Sequence, residues 1–461
     1  MIEMTLAEIA DVVGGVAHGG ATVTGGAFVD TRTPEPHGLF VAVVGDRVDG
    51  HDYARTAIEA GAAAVLGSRA TDAPTVVVDD VVRALGVLAR HVVDRLPDLT
   101  VLALTGSQGK TGTKDYLAHV LAAAGPTIAT RGNFNNEIGV PLTVLRATEA
   151  TRYLVVEMGA RGVGHVGYLC TIAPPTVAAV LNVGTAHIGE FGSREAIALA
   201  KGEIVEALPA DGTAVLNSED PLVAAMAERT VARVTTFGRP PADVAVRDLT
   251  SDELGRQSFD LVHRGSGATV HLAQVGAFQW RNAAAAAAMA LAAGVDLDTV
   301  ADALADAREA SRWRMEVRER ADGAVVVNDA YNANPESMEA ALESLQLIGQ
   351  RSGRRTVAVL GEMLELGPDA VQAHQRVGRY AADAGVEVLV TVGEMAAHVA
   401  EGFGAGEAII TAGRDEALTW LRENVSAADV VLVKASRGAA LEVVVEGLLA
   451  APEGGPEGSS G

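Results

Sequence analysis

Short apolar runs alternate with amphipathic segments along most of this chain, and the rhythm changes at two points. Residues 1 to about 97 mix short apolar strands with short helical segments, and an amphipathic stretch at 81–96 ends before Pro97. From Val101 onward apolar strands alternate with helices, and a second series with the same rhythm begins near Ser311. This alternation predicts mainly parallel sheets covered on both faces. We therefore expect an α/β fold with domains at residues 1–98, 99–310 and 311–450, and a disordered Pro/Gly/Ser-rich tail at 451–461.

The apolar runs also give bounds for the predicted strands, which in the first domain lie at residues 39–44, 62–66 and 75–78. The second domain has predicted strands at 101–104, 153–156, 176–181 and 213–216, and the third has them at 324–327, 356–360, 388–392 and 430–433. Residues 232–275 are expected to form antiparallel strands, and an alanine-rich helix at 282–293 closes the second domain. Ligands bind beyond the carboxyl ends of strands in open α/β sheets, so polar residues just after these strands are candidate site residues.

The stretch at residues 105–111, Thr-Gly-Ser-Gln-Gly-Lys-Thr, joins an apolar strand to a predicted helix at 113–124. A strand, a glycine-rich turn, Lys-Thr and a helix in this order wrap backbone N–H groups around phosphates. The lysine can offset phosphate charge, and the threonine hydroxyl can ligate Mg²⁺. The alternative is a tight turn with a solvated lysine. The candidate residues for binding a nucleoside triphosphate are Gly106, Ser107, Gln108, Gly109, Lys110, Thr111 and Gly112.

Other polar residues follow the predicted strands. Glu157 ends the strand after the phosphate-binding turn, where a carboxylate can hold Mg²⁺ or can be an ordinary strand-end acid. His187 lies in a glycine-rich loop and Lys201 on a helix. From their residue types alone, a functional pair is no more strongly predicted than an ordinary loop histidine and a surface lysine. The polar cluster at 328–335 can bind a ribose or a peptide, or can simply make turns.

The amino-acid composition limits which partners the protein can bind and in which cellular compartment it is expected. The 461 residues include 36 Lys and Arg against 59 Asp and Glu, a net charge of −23 that repels nucleic acid and anionic membranes. Cys170 is the one cysteine, so no disulfide can form within the chain, which fits a reducing cytoplasm. It lies in an apolar stretch and is expected to be buried. The N-terminus lacks the basic region of a signal peptide, and the longest apolar helical run, 283–293, is too short to span a bilayer.

Several motifs together resemble the Mur ligase family over about residues 5–450. They are Asp30-Thr-Arg32, Asp49-Gly-His51, and the segments 105–111, 132–141, 157–160, 187–193, 200–203, 329–335, 360–367 and 433–438. The resemblance implies a small N-terminal α/β domain for a UDP-linked substrate, a central P-loop ATPase-like domain with a mainly parallel sheet, and a C-terminal Rossmann-like domain. It further implies a cytoplasmic, monomeric, ATP-dependent ligase of peptidoglycan synthesis. The resemblance implies that this ligase joins D-alanyl-D-alanine to UDP-N-acetylmuramoyl-tripeptide through an acyl phosphate.

The resemblance also implies roles for individual residues. In this family the lysine that matches Lys201 is carbamylated by CO₂ and holds a second Mg²⁺ with the histidine that matches His187, while Thr111 and Glu157 hold the first. An oxygen-rich carbamate suits a hard cation, whereas an ammonium would repel it. The implied catalytic residues are Lys110, His187 and Lys201, and those near adenine, ribose or phosphates are Asn282, Arg314 and Asp329.

For the substrates, the resemblance assigns Thr31 and Arg32 to the uridine nucleotide, Asn135 and Asn136 to the UDP-sugar-peptide, and Tyr331 and Asn332 to the peptide or the incoming dipeptide. Two positions of the predicted ATP site depart from the family pattern, because Gly112 replaces a Thr or Ser and Phe278 replaces a histidine near adenine. In the first domain Thr31 replaces a more usual Ser, which keeps the hydroxyl. Three alternatives stay open: a ligase that adds the third amino acid to a UDP-linked dipeptide, a folate polyglutamate ligase, and a nucleotide-binding regulator without ligase activity.

Overall fold

The structure, a computed structural model, describes residues 1–45, 47–184, 191–308 and 311–450. These residues form sheets of five, nine and six strands and a separate two-stranded pair. His187 and the tail at 451–461 lie outside the described residues.

The first domain contains β1 (Met4–Thr5), α1 (Leu6–Val13), β2 (Val16–His18), β3 (Thr22–Val23), β4 (Ala27–Phe28), β5 (Leu39–Val41), a 3₁₀ turn (Gly50–Tyr53), α2 (Ala54–Glu59), β6 (Ala64–Gly67), β7 (Thr75–Val77) and α3 (Val81–Asp94). Its sheet has the order β2-β7-β6-β5-β4, in which only β2 runs antiparallel to its neighbour, while β1 and β3 form the separate pair. A capping box begins α1, because Thr5 and Glu8 bond to each other's backbone N–H.

The central domain contains β8 (Thr100–Thr105), α4 (Lys110–Ala124), β9 (Thr127–Ala129), α5 (Gly139–Val144), β10 (Tyr153–Glu157), α6 (His165–Ile172), β11 (Val177–Val180), α7 (Arg194–Glu206), β12 (Thr213–Asn217), α8 (Pro221–Ala224), a 3₁₀ turn (Ala225–Arg229), β13 (Arg233–Gly238), β14 (Val244–Ser251), β15 (Arg256–His263), β16 (Ser266–Val275), α9 (Gln279–Ala292) and α10 (Leu297–Asp306). Its sheet has the order β9-β10-β8-β11-β12-β13-β14-β15-β16.

The prediction that residues 232–275 form antiparallel strands is partly wrong. Strand β13 pairs in parallel with both β12 and β14, and antiparallel pairing begins only between β14 and β15. The reason is the connection before β13, where α8 and the following 3₁₀ turn cross over the sheet and return the chain in the same direction. The parallel part of the sheet is therefore longer than predicted.

Alternate residues of the central strands supply two separate cores. Val101 and Ala103 of β8 point to the face that also packs against α3, so the first domain shares this core. Leu102 and Leu104 point to the opposite face, which is covered by α4 and the alanine-rich α9. Because alanine side chains are short, α9 can approach α4 closely, and this places its first turn beside the end of β8.

The third domain contains β17 (Glu316–Glu319), β18 (Val325–Asp329), α11 (Pro335–Ser352), β19 (Arg355–Gly361), a 3₁₀ turn (Gly367–Asp369), α12 (Ala370–Asp383), β20 (Val388–Val392), α13 (Ala397–Phe403), β21 (Glu407–Thr411), α14 (Arg414–Asn424), β22 (Asp429–Lys434), a 3₁₀ turn (Arg437–Ala439) and α15 (Glu442–Leu449). The strand order is β17-β18-β22-β19-β20-β21, with only β17 antiparallel. Among the described residues, no helix is long and apolar enough to cross a membrane.

Candidate active site

The predicted phosphate-binding stretch forms the turn between β8 and α4. Gly109 precedes the helix with a φ of 76°, and a Cβ added there would lie 2.5 Å from Oδ1 of Asn282. Only glycine fits this position, because other residues disfavour positive φ and the adjacent space is filled. The first N–H groups of an α-helix have no carbonyl partner within the helix, which makes this end of α4 a favourable position for an anion.

Lys110 is the first residue of α4, and its ammonium folds back over the turn. Its Nζ donates hydrogen bonds to the carbonyl oxygens of Gly106 at 2.8 Å and Ser107 at 3.4 Å. Burial lowers the pKa of Lys110, the charge of Glu157 raises it, and the charge of Arg314 lowers it. A buried ammonium bonded to neutral carbonyls is stabilised by an added anion, so this arrangement suits a bound phosphate.

A second loop braces the turn from the neighbouring strand. Asn182 follows β11, and its Oδ1 accepts the backbone N–H of Gln108 at 2.9 Å while its Nδ2 donates to the carbonyl oxygen of Gln108 at 3.2 Å. The carbonyl oxygen of Asn182 accepts the N–H of Ser107 at 3.1 Å. Sequence analysis did not single out Asn182, although its place directly after a predicted strand is the signal that would have identified it.

Glu157 ends β10, and its buried carboxylate lies beside the turn. Its Oε2 accepts a hydrogen bond from Oγ1 of Thr111 at 3.1 Å, and its Oε1 accepts one from Nδ2 of Asn135 at 2.8 Å. A carboxylate and a hydroxyl in contact are hard oxygen donors of the kind that Mg²⁺ prefers. The pair therefore fits a divalent cation next to a phosphate.

Lys201 lies on α7, and only 5% of the residue is exposed. Burial lowers the pKa of Lys201 well below its ordinary value, and the positive charge of Lys110 lowers it further. Both effects favour the neutral amine over the ammonium. His187, the histidine predicted to act with it, lies outside the described residues.

The third domain contributes the opposite wall of the site. The guanidinium carbon of Arg314 lies 4.2 Å from the centre of the Tyr331 ring. The carboxylate of Asp329 accepts a hydrogen bond from Nζ of Lys434 at 2.6 Å, and the same ammonium donates to the carbonyl oxygen of Asn332 at 2.9 Å. Lys434 was not a sequence candidate. It ends β22 directly opposite Asp329 in the register of the sheet, which the sequence pattern does not specify.

The structure explains the glycine at position 112. Asn282, in the first turn of α9, donates from Nδ2 to Oε1 of Gln279 at 3.0 Å, and a Cβ added to Gly112 would lie 2.9 Å from that Nδ2. The glycine therefore leaves room for the asparagine amide. Phe278, the other departure, lines the cleft and packs against the core of the third domain.

Most of the predicted residues line one cleft of about 890 Å³ between the central and third domains, a volume typical of ligand sites. The predicted residues in its lining are Ser107, Gln108, Gly109, Lys110, Thr111, Gly112, Asn135, Asn136, Glu157, Lys201, Asn282, Arg314, Asp329, Tyr331 and Asn332. Gly106 lies at the base of the turn, where a Cβ would be 2.9 Å from Cβ of Leu181. The cleft thus combines the predicted phosphate-binding turn with cationic, acidic and amide side chains from two domains.

Thr31 and Arg32 are not among the residues that line this cleft. The Arg32 side chain is 86% exposed, and its Nη2 lies 2.6 Å from Oδ2 of Asp30. The nearby Asp49-Gly-His51 motif has a structural role, because Nδ1 of the buried His51 lies 2.6 Å from Oδ1 of Asp49. Thr31 and Arg32 therefore lie outside the cleft described above.

Comparison with known proteins identifies the class to which this fold and cleft belong. Three family descriptions match consecutive parts of the chain: "Mur ligase family, catalytic domain" at residues 16–102, "Mur ligase middle domain" at 104–290, and "Mur ligase, glutamate ligase domain" at 313–437. The chain belongs to the Mur ligase family, and its three-domain α/β architecture is the one that its sequence resemblance implied.

The chain is also similar to individual members of this family over nearly its whole length. The chain is 45% identical to the UDP-N-acetylmuramoyl-tripeptide–D-alanyl-D-alanine ligase of Mycobacterium tuberculosis strain H37Rv, over 98% of each chain. It is similar in structure to MurF from Acinetobacter baumannii, with a TM-score of 0.87, 30% identity, and coverage of 97% of this chain and 99% of that one. A MurF ligase from Thermotoga maritima in complex with ADP matches with a TM-score of 0.78 and 31% identity, over 92% of this chain and 96% of that one.

Proposed function

We propose that this protein is an ATP-dependent ligase that joins D-alanyl-D-alanine to UDP-N-acetylmuramoyl-tripeptide, giving the UDP-linked muramoyl pentapeptide. The observation that carries the proposal is that the phosphate-binding turn of the central domain and the Arg314–Asp329–Tyr331 group of the third domain face the same cleft. Relatives with 45% identity over nearly the whole chain carry the name of this activity. We expect the protein to use ATP in the cytoplasm and to be a monomer.

The first chemical step is phosphorylation of the acceptor carboxylate. An oxygen of the tripeptide carboxylate attacks the γ-phosphorus of ATP, the bond from that phosphorus to the β,γ-bridging oxygen breaks, and ADP leaves. The turn at 106–112 binds the phosphates, and Lys110 and Arg314 offset the negative charge that develops on the transferred group. We assign Asn282 to the adenine base and Asp329 to the ribose.

Magnesium fits the donor set at this site. Thr111 and Glu157 are in contact through oxygen atoms, and they would hold one ion beside the phosphates. When bound, Mg²⁺ supplies Lewis-acid stabilisation of phosphate charge. An ammonium at position 201 does not fit a second ion, but a carbamate does, and a buried neutral amine can add to CO₂ with loss of one proton. We therefore assign the second ion to carbamylated Lys201 together with His187.

The second step forms the amide. The free amino group of D-alanyl-D-alanine attacks the acyl carbon, a tetrahedral intermediate forms, the carbon–oxygen bond to phosphate breaks, and the amine loses a proton. We assign Asn135 and Asn136 to the UDP-sugar-peptide, and Tyr331 and Asn332 to the peptide or dipeptide. We assign Thr31 and Arg32 to the uridine end of the same substrate. We expect closure of the third domain over ATP to exclude water and so to protect the acyl phosphate from hydrolysis.

A coupled phosphate-release assay with a panel of amines tests the activity. We expect ATP turnover only when UDP-N-acetylmuramoyl-tripeptide and D-alanyl-D-alanine are both present. Turnover with the UDP-linked dipeptide and a single amino acid would instead identify the ligase that adds the third residue. Nucleotide binding without turnover under any combination would identify a regulator.

The Lys201→Ala variant tests the carbamate. Removal of the amine should abolish turnover, and short carboxylic acids should partly restore it because they return an oxygen anion to the cavity. The matched control is Lys114→Ala, which removes a buried lysine from α4 and should gain nothing from added acids. Full activity of Lys201→Ala without added acid would overturn the metal assignment.

A further inference from the structure

The chain passes from the central to the third domain near residue 310, and it is anchored to the central domain on both sides of residues 309–310. Before this point, the carbonyl oxygen of Arg308 accepts a hydrogen bond from Nε2 of Gln274 at 3.3 Å. After it, Oγ of Ser311 donates to Oδ2 of Asp115 at 2.7 Å. Asp115 lies on α4, the helix that begins at the phosphate-binding turn.

Asp115 is held in place for this contact. Its side chain is 11% exposed, and its other oxygen, Oδ1, forms an ion pair with the ammonium of Lys114, whose side chain is 5% exposed. One carboxylate oxygen is thus occupied within α4, and the second accepts the hydroxyl of Ser311. A hydrogen bond to a charged acceptor is roughly twice as strong as one between neutral groups, so this single contact is a firm link between the domains.

Ser311 stands three residues before Arg314, so the backbone between them spans at most about 11 Å. The residues on either side of Arg314 are strained, because Trp313 and Met315 have φ values of 60° and 53°. Bulky residues keep such conformations only where their surroundings hold them. On the third-domain side the surroundings include the carboxylate of Asp329, which accepts the N–H of Met315 at 3.2 Å.

We propose that Asp115 and Ser311 are positioning residues, which hold the start of the third domain on the phosphate-loop helix so that Arg314 faces Lys110. All four residues line the same cleft. The inference rests on the proposed function, since it assigns this contact to the assembly of the ligase site. A phosphate group bound between Lys110 and Arg314 would then meet two walls that this hydrogen bond helps to hold in register, next to the Ala277–Ser344 hydrogen bond and the packing of Phe278 against the third domain.

The Ser311→Ala variant tests the proposal, because it removes the hydroxyl and leaves the ion pair of Asp115 intact. We expect kcat to fall roughly ten- to a hundredfold, the range for a hydrogen bond to a charged group, with a smaller change in KM for ATP. Ser311→Thr keeps the donor and should restore kcat. The control is Ser352→Ala, which removes a hydroxyl bonded within α11 to the carbonyl oxygen of Ile348 at 2.7 Å and should leave kcat unchanged.

Two further measurements separate positioning from general destabilisation. In an Arg314→Ala background, Ser311→Ala should cause little additional loss of kcat, since the residue that it positions is already absent. A loss of kcat by less than twofold in the single variant, or a fully additive loss in the double variant, would overturn the proposal.

Small-angle X-ray scattering of the ADP-bound protein supplies a readout that does not depend on ligase activity. The radius of gyration should increase in Ser311→Ala and not in Ser352→Ala, and an unchanged radius would count against the link even if the proposed reaction were wrong.

Discussion

Because Gly112 and Asn282 fit closely together, Gly112→Ala should destabilise the protein. The same substitution should stabilise a variant in which Asn282 is already alanine. A Cβ at position 112 would lie 2.9 Å from Nδ2 of Asn282, closer than real Cβ contacts. The asparagine cannot simply turn away, because it is buried and donates to Oε1 of Gln279 at 3.0 Å. Gly112→Ala must therefore displace this amide.

Two opposing free-energy terms decide whether Gly112→Ala stabilises or destabilises the protein. Replacing glycine by alanine in a helix stabilises the folded state by about 0.8–1 kcal/mol. Losing the Asn282–Gln279 hydrogen bond while its partner stays buried costs about 1–3 kcal/mol. The net effect of Gly112→Ala should therefore be a destabilisation of about 1 kcal/mol. In an Asn282→Ala background the clash is absent, and the same substitution should stabilise by up to about 1 kcal/mol.

Thermal unfolding of the four proteins in this double-mutant cycle measures the effect. For a domain of this size about 1 kcal/mol corresponds to a change in Tm of roughly 2–4 °C. We expect Tm to fall by this amount for Gly112→Ala alone and to rise when Asn282 is already alanine. A change of the same sign and size in both backgrounds would refute the steric argument.

Two predictions concern buried titratable groups. Burial lowers the pKa of His374, whose Nε2 accepts the N–H of Met363 at 3.0 Å, so the unfolded chain binds a proton more readily. The free energy of unfolding should therefore decrease as the pH falls through about 6.5, and His374→Gln should remove that part of the pH dependence in urea titrations. Burial raises the pKa of the Cys170 thiol to about 12, so iodoacetamide should label the native protein very slowly and the urea-unfolded protein rapidly. Fast labelling of the native protein would contradict the buried position.

The sequence predicts the strands and much of the site because both depend on local patterns. The run at residues 388–392, Val-Leu-Val-Thr-Val, is mostly apolar and rich in β-branched residues, and β20 has the same bounds. Glu157 and the turn at 105–111 come together because they follow adjacent parallel strands, whose carboxyl ends meet at one edge of the sheet. Helix α4 begins three residues earlier than predicted, at Lys110, because the helix starts directly from the glycine turn.

Contacts between distant segments are not specified in this way. Asn182 and Gln108 are 74 positions apart, Lys434 and Asp329 are 105 apart, and Ser311 and Asp115 are 196 apart. Each partner is an ordinary polar residue whose neighbours in the sequence give no indication of what it contacts. Their pairing depends on strand order and on how the third domain packs against the central one.

The central claim is that the cleft activates a carboxylate by phosphorylation, and the fate of one oxygen atom tests it most directly. UDP-N-acetylmuramoyl-tripeptide labelled with ¹⁸O in its terminal carboxylate is incubated with ATP, Mg²⁺, D-alanyl-D-alanine and the protein, and the released phosphate is analysed by mass spectrometry. Attack of the carboxylate on the γ-phosphorus, followed by attack of the amine on the acyl carbon, predicts one ¹⁸O atom in each phosphate released. Phosphate without ¹⁸O would mean that water, not the carboxylate, receives the phosphoryl group, and would contradict the account.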